Sequence, residues 1–270
     1  MSNALNFETT EGKNIINTAN AMADAAREAI LPLFRSRSLV AENKSFNGFD
    51  PVTDADKSAE QAMITELKQR RPNDGVFGEE FGELEGDSLY RWVLDPIDGT
   101  RAFMAGAPTW GVLISVEMIG KGSIFGIIDQ PFTGERFWGG LGIAEYAKQN
   151  EKKILKTSNV EEIENAILLS TFPEVGTDNE RNAFQKVSQK AKLTRYGLDC
   201  YGYALVAIGT ADLVIEAGLS SYDISAPACV IEAAGGIVTT WDGKPPSTGG
   251  RIVAASNERL HKSALDKLNS

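Results

Sequence analysis

The sequence predicts a fold in two parts, an α+β half over residues 1–150 and an α/β half over residues 151–270. Three observations predict it: two amphipathic helical patterns at the start of the chain, a run of short strands after them, and then a regular alternation of strand and helix patterns. Ile15, Ile16, Ala19, Met22, Ala23, Ala26, Ile30 and Phe34 recur at three-to-four spacing and predict one long helix. A polar loop containing glycine follows, from Ser36 to Pro51. Ala59, Met63, Ile64 and Leu67 predict a second helix, opened by Asp54 or Asp56 and closed near Pro72.

The texture then changes to strands at Val76–Phe77, Arg91–Leu94, Trp110–Met118, Ser123–Ile128 and Glu135–Trp138, separated by Gly and Pro turns. Between Glu145 and Lys156 the chain is charged and loses periodicity, which makes it the boundary between the halves. Beyond it, strands are predicted at Ala166–Phe172, Lys192–Tyr196, Asp212–Ile215, Gly236–Thr240 and Arg251–Ala255. Helices are predicted at Asn179–Lys190, Tyr201–Ile208, Ser225–Ala234 and Asn257–Leu268, and Gly243–Gly250 is a loop.

Composition narrows the function classes. With 270 residues, 42% apolar and 24% charged, the chain has the composition of a globular protein. A net charge of −10 opposes nonspecific binding to nucleic acid or to an anionic membrane surface. No window is apolar for the length of a membrane span, and Met1–Glu11 lacks the pattern of a secretory signal, so a cytoplasmic location is expected. Cys200 and Cys229 are too few for a disulfide framework and lack zinc-ligand spacing. His261, the sole histidine, is placed at the surface of the closing helix, which leaves a Ser-His-Asp or Cys-His mechanism without its base.

The chemistry concentrates at Trp92-Val93-Leu94-Asp95-Pro96-Ile97-Asp98-Gly99-Thr100, where an apolar strand ends in two carboxylates around a proline. Taken alone, Asp-Pro and Asp-Gly make an ordinary turn. Asp56, Glu79, Asp95, Asp98 and Asp223, however, each stand where a regular element begins or ends, a position from which side chains converge on a cleft. Oxygen-only ligands select a hard cation, Mg²⁺ first and Mn²⁺ second. Mg²⁺ retains waters and meets substrate phosphate, so hydrolysis of a phosphate ester is the natural reaction. Gly99–Phe103 can open a helix whose first amides face an anion, and the Thr100 hydroxyl can orient the attacking water.

Asp95-Pro96-Ile97-Asp98-Gly99-Thr100, with Gly78-Glu79-Glu80 upstream and Tyr222-Asp223 and Ala233-Ala234-Gly235-Gly236 downstream, resembles the inositol monophosphatase family of magnesium-dependent, lithium-sensitive phosphatases. The resemblance runs from about Lys44 to Ser256. It implies a layered α-β-α-β-α sandwich, commonly a homodimer, with the active site between the halves. It also implies that Glu79, Asp95 and the Ile97 carbonyl bind a first metal, that Asp95, Asp98 and Asp223 bind a second, and that Glu79 and Asp56 surround a weaker third. By the same resemblance Thr100 helps activate the water, the Gly99 and Thr100 amides hold phosphate, and Lys44 belongs to a loop over the site. Separate local roles are open for several of these residues: Asp223 as a helix cap, Glu79 and Glu80 as solvated charges, and Asp54 as a cap.

By this resemblance the expected substrate is a small phosphorylated metabolite. Arg101-Ala102-Phe103 departs from the Thr-Asn-Phe common after Gly-Thr in inositol phosphatases and, with Gly197-Leu198-Asp199-Cys200-Tyr201, resembles the histidinol-phosphate phosphatase branch, which acts in histidine biosynthesis. Asp199 and Glu216 offer acceptors for an ammonium or imidazole group. Glu216 serves an inositol hydroxyl equally well, Asp199 fits a helix cap equally well, and Arg101 stands beside the phosphate or at the surface. An inositol-1-phosphatase or broad sugar and nucleotide phosphatase is the alternative, and a non-catalytic regulatory or RNA-associated protein is the outside one.

Overall fold

A computed structural model describes residues 5–37, 41–43 and 51–270; Lys44 lies outside the described residues. Helix α1 (Thr10–Ile30) opens at Thr9, whose hydroxyl accepts the Gly12 amide at 3.0 Å. Its stripe from Ile15 to Ile30 is buried as the spacing predicts. The helix stops short of Phe34 because Pro32 has no amide to continue the ladder. Phe34 is nonetheless buried, in the turn that follows.

Strand β1 (Ala41–Asn43), inside the stretch expected to be loop, pairs antiparallel with β2 (Pro51–Thr53), which begins at that stretch's last residue. Three residues are too few to show alternation. Helix α2 (Asp54–Arg70) is capped by Thr53 in a reciprocal box with Asp56, so Asp54 is not the cap.

The chain then builds β3 (Gly75–Gly78), β4 (Gly82–Leu84), β5 (Tyr90–Asp98), α3 (Thr100–Ala105), β6 (Gly111–Met118), β7 (Gly122–Gln130), β8 (Glu135–Gly140), β9 (Ile143–Lys148) and β10 (Glu151–Ile154). The strands form one eight-stranded sheet in the order β10-β9-β8-β7-β6-β5-β3-β4, antiparallel except where β3 lies along β5. The charged stretch expected to lack periodicity is the hairpin β9–β10 at the sheet's edge. Lys152 and Lys153 suit that place, since charge on an exposed edge opposes pairing with another chain.

After a single 3₁₀ turn at Ile163–Asn165 come β11 (Ile167–Ser170), α4 (Asp178–Ser188), β12 (Leu193–Tyr196), α5 (Asp199–Ala207), β13 (Leu213–Leu219), α6 (Ser221–Ala233), β14 (Ile237–Thr240), β15 (Gly250–Ala255) and α7 (Glu258–Leu268). The second sheet runs β12-β11-β13-β15-β14.

Burial orders these elements into five layers. Val112, Ile114 and Val116 of β6 pack toward α1 and α2, whereas Leu113 packs toward α5 and α6. A strand buried on both faces reads as a continuous apolar run, which is how β6 reads. Helices α5 and α6 lie between the two sheets, and α4 and α7 cover the outer face of the second sheet. The molecule is an α-β-α-β-α sandwich. His261, expected at the surface, is buried instead, with Nε2 2.7 Å from the Thr239 hydroxyl and its pKa lowered by burial. It sits in the outer layer. No helix among the described residues is long and apolar enough to cross a membrane.

Candidate active site

The site begins with an irregularity in β5. Residues i and i+3 of a regular strand point to opposite faces, so Asp95 and Asp98 would diverge. Between them the pairing with β6 shifts: Asp95 opposes Leu113 while Asp98 opposes Gly111, three steps against two. The bulge falls at Pro96, which has no amide to offer a ladder, and it returns the two carboxylates to one side.

Asp223 arrives from the middle layer. It is the third residue of α6, where its Oδ2 accepts the Ser220 amide at 2.7 Å in a capping box. Ser220 is the cap, and the helix starts four residues before the predicted Ser225. One oxygen from each of Asp95, Asp98 and Asp223 lies within 4.8 Å of the others. Asp95 and Asp98 are held well above the usual carboxylate range, first by burial and then by neighbouring negative charge, from Glu79, Asp98 and Asp223 on Asp95 and from Asp199 and Asp223 on Asp98. Asp95 Oδ1 is buried with no hydrogen-bond partner among the described residues. An unpartnered carboxylate oxygen inside an all-oxygen acidic cluster fits a hard divalent cation.

Thr100 opens α3 beside this cluster. Its hydroxyl donates to the Ile97 carbonyl at 3.1 Å and stands 3.5 Å from Asp56 Oδ1. Asp56 is buried on α2; its Oδ2 accepts the Thr53 amide at 2.8 Å and the Thr53 hydroxyl at 2.5 Å, which leaves Oδ1 facing Thr100. Burial pushes the Asp56 carboxyl up to about 6, against the pull of the Thr53 bonds. Gly99 is required twice over. Its φ is +84°, and a Cβ there would stand 2.8 Å from Asp199 Cγ.

Glu79 is positioned by a residue that the pattern did not single out. The buried Glu60 carboxylate on α2 accepts the amides of Glu80 and Phe81 at 2.8 and 3.0 Å. That fixes the turn after β3, while the Glu79 amide bonds the Leu94 carbonyl of β5 at 3.1 Å. A charged residue on the apolar face of α2, four positions after Asp56, was the available signal.

The far wall of the cleft comes from the second half. A second bulge separates Glu216 from Leu219 in the pairing of β13 with β15. Glu216 Oε1 accepts the Thr171 amide and hydroxyl at 2.6 and 2.9 Å, and Oε2 stands 3.3 Å from the Ser170 hydroxyl. Burial lifts Glu216 to about 7, opposed by the Thr171 bonds. Asp199 has a left-handed φ of 47° and accepts the Thr109 hydroxyl at 3.3 Å; Leu198 occupies the cap position of α5. The next amide, of Cys200, donates to Asp98 Oδ2, so the start of α5 also fixes a member of the acidic cluster. Arg101 stacks on Phe172, its guanidinium carbon 5.1 Å from the ring centroid. Glu79, Asp98, Gly99, Thr100, Arg101, Asp199, Glu216 and Asp223 line one cleft of about 400 Å³, with Asp95 and Asp56 behind it. A larger cleft of about 670 Å³ between α1 and β8–β9 shares none of these residues.

The carboxylates give a pH dependence whose sign can be worked out. Asp56, Asp95, Asp98 and Glu216 all have folded pKa values above those of free carboxylates, which lie near 4. A raised folded value means that the charged form is disfavoured by folding, so stability is greatest below about pH 4 and is lost as pH rises through the folded values, including those near 6 and 7. Acid unfolding by other groups offsets this at the low end. In EDTA, Tm is expected to fall between pH 5 and about 7.5, and Mg²⁺ is expected to flatten the slope. Parallel thermal scans in EDTA and Mg²⁺ check it; superimposable slopes would show that no cation relieves the cluster.

The family model described as the inositol monophosphatase family matches residues 11–270. The bifunctional phosphatase IMPL2, chloroplastic, of Arabidopsis thaliana is 39% identical, with 96% of this chain and 76% of the relative covered. The histidinol-phosphatase of Streptomyces coelicolor is 34% identical over 94% of this chain and 96% of its own. The solved structure of an inositol monophosphatase from Zymomonas mobilis superposes with a TM-score of 0.84 at 35% identity, covering 97% of this chain and all of that one. A bulged Asp-Pro-Ile-Asp strand end, a helix-borne Asp223 and a match of this extent place the chain in the inositol monophosphatase family of phosphatases.

Proposed function

We propose that the protein is a Mg²⁺-dependent phosphomonoesterase whose preferred substrate is histidinol phosphate. Glu79, Asp95, the Ile97 carbonyl, Asp98 and Asp223 would hold two divalent ions, Mg²⁺ or Mn²⁺, with Asp56 beside a third. Ions bound there supply charge neutralisation for the ester phosphate and lower the pKa of water. Thr100, aligned by Asp56 and the Ile97 carbonyl, orients the attacking water through its hydroxyl. The amides of Gly99 and Thr100 come before the first intrahelical donor of α3, the Phe103 amide on the Gly99 carbonyl, and would face the phosphate oxygens.

One observation carries the choice of substrate. The hydroxyl groups nearest the wall carboxylates are already engaged by them, Thr171 and Ser170 on Glu216 and Thr109 on Asp199. Apart from Arg101, Ser220 and Tyr222, the wall therefore offers the carboxylate oxygens of Glu216 and Asp199 as its acceptors. An alcohol carrying an ammonium and an imidazole satisfies such a wall with charge-assisted bonds, and a neutral polyol does so less well. The relatives divide between histidinol and inositol phosphatases by name, so identity alone does not decide.

Histidinol phosphate is expected to exceed inositol 1-phosphate in kcat/KM by at least about tenfold, or ~1.4 kcal/mol of transition-state binding. Glu216→Gln is expected to erode that ratio by removing the charge at nearly constant shape. Steady-state kinetics with both esters and saturating Mg²⁺ decide the matter. A ratio of one or lower assigns the site to a polyol, and no turnover of either ester would leave a family fold without this activity.

A further inference from the structure

Among the described residues of the cleft wall, Phe172 is the exposed aromatic side chain. It is 44% exposed and lines the acidic cleft. It follows directly on Thr171, whose amide and hydroxyl are fixed on the buried Glu216 carboxylate, so the backbone that carries the ring is anchored at its base. Across the cleft, Arg101 from α3 lies over the ring at 5.1 Å, and the Arg101 charge also acts on Asp199. The ring thus lines the cleft, and its face already takes a flat cation. A guanidinium on an aromatic face is held by the ring quadrupole, and a planar imidazolium is attracted by the same field.

We infer that Phe172 is a specificity-determining residue that receives the planar, cationic ring of the substrate alcohol on its face, in the place Arg101 takes in the free protein. The inference rests on the cationic-alcohol substrate proposed above and adds to it the recognition of the ring as distinct from the ammonium. Glu216 and Asp199 answer positive charge of any shape. Phe172 answers flatness. Arg101, displaced from the ring, stays next to Thr100 in the first turn of α3.

The test compares two cationic esters that differ in the ring, histidinol phosphate and phosphoethanolamine, in wild type and in the variants Phe172→Leu and Phe172→Trp. Leucine keeps an apolar side chain of similar reach and removes the π face; tryptophan enlarges it. The histidinol phosphate to phosphoethanolamine ratio of kcat/KM is expected to fall about tenfold in Phe172→Leu, through KM, and to return to the wild-type value or above in Phe172→Trp. A ratio within twofold of wild type in Phe172→Leu overturns the inference. So does a loss equal for both esters and reproduced by Arg101→Ala, which would make Phe172 only a prop for Arg101. The two layers fail separately: a wild-type enzyme that does not favour histidinol phosphate over inositol 1-phosphate removes the substrate reading, whereas a wild-type preference that Phe172→Leu leaves intact removes only the role of the ring.

Discussion

Asp95→Asn is expected to lower kcat by at least about 10³-fold and, in the same protein, to raise the Tm measured in EDTA. The two effects have one cause. Asp95 is 2% exposed, its Oδ1 has no hydrogen-bond partner among the described residues, and Glu79, Asp98 and Asp223 all press negative charge upon it. Without a cation, ionised Asp95 opposes folding, so an isosteric amide relieves the cluster. With a cation, the same charge is what holds it. Removing one ligand charge from a site that stabilises a transferring phosphoryl group forfeits several kcal/mol of transition-state stabilisation, and about 4 kcal/mol corresponds to that factor in rate. Saturating Mg²⁺ should reverse the order of stabilities. Wild type gains about 2.7 kcal/mol at a hundred times its dissociation constant, and the variant gains less. Kinetics at saturating Mg²⁺ and thermal scans with and without it check all three statements. Wild-type turnover in the variant removes Asp95 from the site; a Tm in EDTA below that of wild type makes it a structural residue.

What the sequence disclosed about this site follows from how each signal is encoded. Asp95, Asp98 and Thr100 were legible because a strand, a Pro and a Gly lie next to one another in the chain and leave little freedom for the turn. The convergence of Asp95 with Asp98 was not legible from alternation, which places i and i+3 on opposite faces. It needed the bulge opposite Leu113 and Gly111. Asp223 was legible as an acidic residue near a helix start, yet its role as third residue of a capping box depends on where the helix begins, and apolar periodicity placed that start at Ser225 because Ser221, Tyr222 and Asp223 carry no apolar stripe. Glu60 was missed for a related reason: the α2 pattern was read from its apolar members, and a second buried carboxylate one turn after Asp56 did not count against them. His261 was misplaced because an ionisable residue at the end of a chain looks solvated until β14 supplies Thr239. The succession of elements was legible, since two helices, a run of strands and then alternation is a long-range pattern that no single misplaced boundary disturbs, whereas the five-layer stacking came from the family resemblance.

Gly78→Ala is expected to disable the enzyme from outside the metal cluster. The backbone of Gly78 needs no left-handed conformation; what it lacks is room. A Cβ at this position would lie 1.8 Å from Glu60 Oε1 and 2.4 Å from its carboxyl carbon. A long side chain would ordinarily swing away at little cost, but Glu60 is fully buried and pinned by the Glu80 and Phe81 amides. Moving it forfeits one or both bonds to a charged acceptor, at about 1.5–3 kcal/mol each, and frees the turn that aims Glu79. We expect a stability loss of about 2–4 kcal/mol and a Mg²⁺ half-saturation raised at least about tenfold, with kcat partly restored at high Mg²⁺. Gly82→Ala is the matched control. Gly82 has a φ of +70° and nothing within 4 Å of the added Cβ, so that variant bears only backbone strain of about 1–2 kcal/mol and should leave the Mg²⁺ requirement near wild type. Equal shifts in Mg²⁺ requirement for the two variants would mean that the turn acts through general destabilisation. A shift confined to Gly78→Ala ties the acidic cluster to Glu60, and through it to α2, the helix that also carries Asp56 to Thr100.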